Sequence, residues 1–65
     1  MSGLIEALNL GATLTNSGDY SKAIKTYLNV LSMDENNATA WFCLGVLYSK
    51  IGSLKEAVEA FEKCD

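Results

Sequence analysis

The 65-residue sequence contains no proline, arginine, histidine or glutamine. Without histidine, the usual acid–base group at neutral pH is missing, and so is the commonest metal ligand. Only two cysteines are present, Cys43 and Cys64, and two ligands do not make a closed zinc site. Five lysines stand against eight acids. The resulting net charge of −3 has the wrong sign for neutralising a phosphate backbone, and no basic stripe interrupts it. The longest apolar run, Ala40 to Tyr48, is nine residues, about half of what a membrane span needs. At the N-terminus, Met1-Ser2-Gly3-Leu4-Ile5-Glu6 has no basic region and no clean apolar stretch, so no secretory signal is read. Glycine is not second, which excludes myristoylation. No cofactor, metal, nucleic-acid partner or membrane association is expected, and reduced thiols without a targeting signal point to the cytoplasm.

What is present is enough apolar matter for a core: 49% hydrophobic residues against 20% charged. A chain this short buries only about 60% of its unfolded surface and is marginal without a staple or a partner. The acidic excess lies entirely in the second half. Residues 1–33 balance two acids with Lys22 and Lys25, whereas 34–65 hold six acids against three lysines. This reads as a solvated outer face, with an acidic docking face for basic partners as the alternative.

Four helical segments follow from periodicity and punctuation. The first spans about Gly3 to Ser17 and stops at Gly18. Asp19 is placed to cap the second, whose Tyr20, Ala23, Ile24, Tyr27, Val30 and Leu31 keep the three-four spacing of one buried face. Asp34-Glu35-Asn36-Asn37 is a polar break. Asn36 or Asn37 caps a third helix ending near Ile51, with Gly52 as its stop. On this reading the sequon Asn37-Ala38-Thr39 marks a helix start, not a glycan. Ser53-Leu54-Lys55-Glu56 has the capping-box pattern, and the fourth helix is expected to bury Leu54, Ala57, Val58, Phe61 and Cys64. The first and third helices are apolar in nearly every direction, so they read as inner layers, with the second and fourth outside. No strand pattern is present.

Sliding the sequence by 34 residues superimposes it on itself. Leu10 meets Leu44, Gly11 meets Gly45, Gly18 meets Gly52 and Ala23 meets Ala57. Conservative pairs follow: Ile24 with Val58, Tyr27 with Phe61, Leu14 with Tyr48, Val30 with Cys64. A fixed period of this length signals a helical array with one hairpin per unit. Glycine inside a helix costs about 1 kcal/mol against alanine, so Gly11 and Gly45 imply close approach of the next helix. Tyr27 and Phe61 are large enough to fill the wedge between crossing helices.

This pattern resembles the tetratricopeptide repeat family. Ala40-Trp41-Phe42-Cys43-Leu44-Gly45-Val46-Leu47-Tyr48, then Gly52, Ala57 and Phe61, match the motif's tryptophan, leucine, glycine, tyrosine, glycine, alanine and aromatic in register. The first unit matches at Leu10, Gly11, Gly18, Tyr20, Ala23 and Tyr27, and departs at Ala7 and Leu14, where tryptophan and tyrosine are usual. Asp34-Glu35-Asn36-Asn37 is similar to the family's linker with glutamate in place of proline. The resemblance implies an all-α fold, two antiparallel helix-turn-helix hairpins stacked as a short right-handed α-solenoid. A single domain over 1–65 is expected, with units at about 4–37 and 38–65. The second unit ends some six residues short of a full period. Either a longer repeat protein continues it, or another copy completes the open edge as a homo-oligomer.

No enzyme is expected. Ser49 and Lys50 are adjacent, so they diverge by about 100° on a helix. Glu59 and Glu62 share an outer face with Lys63, which reads as solvated ion pairing. Cys64 falls at a small packing position and reads as a buried inert thiol, while Cys43 on an inner helix is partly exposed. Binding is the better-supported function. The resemblance implies a concave surface on one side of the inner helices. Carried over by position, it comprises Ile5, Leu8, Ala12 and Thr15 from the first unit, and Thr39, Phe42, Val46, Ser49 and Lys50 from the second. Family members that grip acidic chaperone tails carry a lysine and asparagines there. Leu8 and Ala12 hold two of those positions here, so that clamp is not expected. The groove instead suits an amphipathic helix or extended apolar peptide of a partner protein, unless Leu8, Phe42 and Val46 face another copy of the chain.

Overall fold

A computed structural model describes residues 2–64. It contains α1 (Ser2–Asn16), α2 (Tyr20–Met33), α3 (Ala38–Lys50) and α4 (Leu54–Lys63). The helix limits agree with the sequence reading to within a residue or two, while the outermost domain limits at 1 and 65 lie outside the described residues. Each helix packs on its neighbour in sequence, α1 on α2, α2 on α3 and α3 on α4. The smallest extent of the molecule, 13 Å, accommodates two helix layers with axes about 8–10 Å apart.

Both hairpin turns are built alike. Gly18 and Gly52 each take φ +84°, the left-handed region that a side chain disfavours. With the chain turned there, the Asp19 N–H donates to the Leu14 carbonyl at 2.9 Å and the Ser53 N–H to the Tyr48 carbonyl at 2.8 Å. These are the long bonds of the glycine-stopped helix end. The turns therefore obey the same 34-residue register as the sequence.

The same geometry overturns two expected caps. Neither Asp19 nor Ser53 makes a side-chain cap bond, so the capping box from Ser53 to Glu56 does not form. A cap residue needs extended backbone for its side chain to reach the first-turn N–H groups. The tight glycine turns hold Asp19 at ψ 64° and Ser53 at ψ 71°, short of that region. The Asp19 carboxylate sits 3.8 Å from the Lys22 ammonium instead, an exposed pair of little weight. The linker between units is free of that constraint. Asn37, at ψ 104°, accepts from the Ala40 N–H and caps α3. The Trp41 indole N–H donates to the Glu35 carbonyl at 2.9 Å, tying α3 back across a linker that lacks proline.

The core is centred on α2, from which Ala23, Tyr27, Val30 and Leu31 meet Ala40, Leu44 and Leu47 of α3, with Ala60 of α4. The burial expected of the outer helices holds for α2 but fails for three of the five residues expected on α4. Ala57 and Ala60 are buried and Cys64 is half-buried, yet Leu54, Val58 and Phe61 are 65%, 55% and 41% exposed. One unit earlier, Tyr20 and Ile24 are half-buried and Tyr27 is 2% exposed, because α3 packs beside α2. Among the described residues no helix follows α4 to do the same. The expectation that α1 is an inner layer is corrected for the same reason. Among the described helices only α2 packs closely on it, so Leu4, Ala7, Leu8 and Leu14 are half-buried while Ile5 and Leu10 stay exposed.

Within each hairpin an aromatic ring lies directly on a glycine. A Cβ at Gly11 would come within 2.6 Å of the Tyr27 ring, and one at Gly45 within 2.5 Å of the Phe61 ring. Both contacts require that a ring shift if alanine is introduced. Tyr27 is enclosed and cannot yield, whereas Phe61 is partly open and can swing outwards. Overpacking costs about 1–3 kcal/mol and alanine returns about 1 kcal/mol of helix propensity. Gly11→Ala is therefore expected to lower stability by about 1–2 kcal/mol and Gly45→Ala by less than about 0.5 kcal/mol in urea unfolding.

Candidate concave binding site

Between α1 and α3 lies a concavity of about 190 Å³ lined by Ala12, Thr15 and Asn16 of α1, Tyr27 of α2, and Phe42, Cys43 and Val46 of α3. Ala12 and Val46 are the same position in the two units, so the hollow is a product of the repeat register. Its walls are helix faces with three- and four-residue spacing. Its floor is Tyr27, whose ring covers Gly11. The lining carries no charged side chain. The Thr15 hydroxyl donates to its own helix at the Gly11 carbonyl, 2.8 Å away. The other polar side chains of the lining are Asn16, Tyr27 and Cys43, the last two hydrogen-bonded to each other. At the rim, Phe42 is 53% exposed and tilts against Phe61, ring centroids 5.9 Å apart.

Of the nine positions expected on the concave surface, Ala12, Thr15, Phe42 and Val46 come together around this hollow. The others lie elsewhere. Leu8 is half-buried and packs on the core. Ile5 is 62% exposed, outside the hollow, and Thr39 is exposed. Ser49 donates its hydroxyl to the Val46 carbonyl at 2.9 Å. Lys50 reaches the Tyr20 ring on α2, its ammonium 5.9 Å from the ring centre. Asn16, Tyr27 and Cys43 complete the lining and were not singled out from sequence. Asn16 was within reach, being four residues after Ala12 on the same helix face. Tyr27 reads from the sequence as core alone, yet it lines the hollow while staying 2% exposed.

The architecture is that of a helical repeat protein, two like hairpins in one register. A family model described as TPR repeat matches residues 11–52, from the glycine under Tyr27 to the glycine that stops α3. The chain belongs to the tetratricopeptide repeat family, whose repeats generally mediate protein–protein interaction. None of the described helices is long and apolar enough to cross a membrane.

Burial, and secondarily the neighbouring Cys43 thiol, hold the Tyr27 phenol well above its ordinary value of 10. The phenol binds its proton more tightly in the folded chain than in the unfolded one. Its contribution is therefore complete below pH 10 and is lost as pH rises from there towards the folded value. Stability should fall above pH 10 by up to about 1.4 kcal/mol per pH unit from this group alone. In Tyr27→Phe that part of the alkaline decline should vanish. Denaturant melts of both chains across the alkaline range check this, with phenolate absorbance reporting whether Tyr27 ionises only on unfolding.

Proposed function

We propose that this chain is a protein-interaction module that seats a helical or extended apolar segment of a partner protein in the hollow between α1 and α3. The observation that carries this is the uncharged, largely apolar lining, open to solvent and walled by Phe42 and Val46 on one side and Ala12 on the other. Exposed aromatic surface beside a small, shaped recess is how apolar peptide anchors are received. The net charge of −3 favours segments whose anchor is flanked by lysine or arginine. The module works by binding, not catalysis, and in the cytoplasm. A nucleophile-and-base pair has no members in this lining beyond a thiol and a phenol whose proton is held tightly.

The test is direct. A fluorescein-labelled amphipathic peptide of leucine and lysine is titrated with the intact chain and with two variants. Ala12→Trp fills the hollow, and Phe42→Ser removes its exposed wall. Both positions are exposed, so circular dichroism should be unchanged. Each variant should weaken binding about tenfold or more. Equal affinity in all three chains would reject the hollow as the seat. Leu8 is unsuitable as a probe, because its contact with the core would confuse lost binding with lost fold.

A further inference from the structure

The exposed side of α4 carries Leu54, Val58 and Phe61 in one straight stripe, spaced four and three residues apart. On α2 the matching side chains are covered by α3. A copy stacked head to tail would have to provide that cover with α1, and α1 is ill suited to it. The α3 residues in or against the core are Ala40, Trp41, Cys43, Leu44, Leu47 and Tyr48; the counterparts of Trp41 and Tyr48, Ala7 and Leu14, already pack half-buried within the first hairpin. In register with the other four, α1 has Glu6, Asn9, Leu10 and Thr13, all exposed. Pressing a glutamate, an asparagine and a threonine onto an apolar stripe would bury polar groups without partners. Stripe against stripe buries none.

Charge then sets the direction. At about 100° per residue, Lys55 and Glu62 fall on one flank of the stripe, opposite the side where Ala57 and Ala60 enter the core. They are seven residues apart, near its two ends. When two such helices pair antiparallel about a twofold axis, the same flank of each meets its own reverse. Lys55 of each copy then lies beside Glu62 of the other. A parallel pairing brings opposite flanks together and loses both contacts.

We propose that α4 is an isologous interface, through which a second copy of this chain pairs antiparallel along Leu54, Val58 and Phe61, with two symmetric Lys55–Glu62 ion pairs at its margin. The stripe is short and exposed ion pairs are individually weak, so the association is concentration-dependent. Lys55, Val58 and Glu62 do not line the hollow, so variants at these residues test this proposal without altering the lining on which the peptide reading rests.

Sedimentation velocity on the full chain, from micromolar to millimolar concentration, tests it. The parent chain should pass from monomer to dimer. Val58→Asp should remain a monomer with unchanged helicity. Lys55→Glu and Glu62→Lys should each weaken dimerisation about tenfold. Mixed in equal amounts they should form a heterodimer, since the acidic flank of one then meets the basic flank of the other. The double exchange should dimerise like the parent. A parent chain that stays monomeric, charge variants that pair as well as the parent, or a mixture without rescue would each overturn the proposal. A synthetic peptide of residues 38–50 that binds the monomeric parent, and not Val58→Asp, would assign the stripe to an unlike helix and overturn it as well.

Discussion

An aromatic ring seated on a helical glycine is the contact on which the rest of this small structure depends. Tyr27 on Gly11 and Phe61 on Gly45 set how closely each helix pair approaches. A ring in that place needs bare backbone beneath it, which is why a residue that weakens helices stands in the middle of two of them. The ring fixes the approach of its own hairpin. In the first unit it also offers its far side to the next helix, where α3 closes over Tyr27. One contact thus orders both the hairpin and the joint between hairpins. It also floors the concavity, since the hollow between α1 and α3 exists because Tyr27 holds their common neighbour α2 at that distance.

Equal sequence does not produce equal burial in a repeat array. Tyr27 and Phe61 occupy the same position over the same glycine, yet one is 2% exposed and the other 41%. The difference lies wholly in what packs on the far side. Each unit in a solenoid touches only its neighbours, so among the described residues α1 and α4 each have one side on which no further helix packs. Here the ends differ. The outward side of α1 sets Glu6, Asn9 and Thr13 beside a single exposed leucine, Leu10, whereas the outward side of α4 carries leucine, valine and phenylalanine.

That asymmetry also explains what could be read from the sequence and what could not. The four helices, their glycine stops, the asparagine cap of α3 and the core stripe of α2 were legible, because each depends on residues within a few positions or on the 34-residue register. The capping motifs at Asp19 and Ser53 mislead because they ignore the backbone. Asp19 and Ser53 each follow a left-handed glycine and stand at ψ 64° and 71°, short of the extended region, and neither side chain makes a cap bond. Burial along α4 was misread because periodicity marks an apolar face without saying whether anything covers it. The candidate site was half legible. Ala12, Thr15, Phe42 and Val46 follow from helix faces alone, whereas Tyr27 and Cys43 enter only through the depth of the packing between three helices.

Phe61 links these separate features. It lies on Gly45, touches Phe42 at the rim of the hollow, and belongs to the outward stripe of α4. A surface contact on α4 that restrains the Phe61 ring also restrains the exposed Phe42 against which it tilts. An anchor pressed against Phe42 restrains Phe61 in turn. Were contacts made at both rings, the first to form would lower the ordering cost of the other. Such coupling is reciprocal by necessity and needs no displacement of a helix. The rim of the hollow and the exposed stripe of α4 thus meet at a single pair of rings.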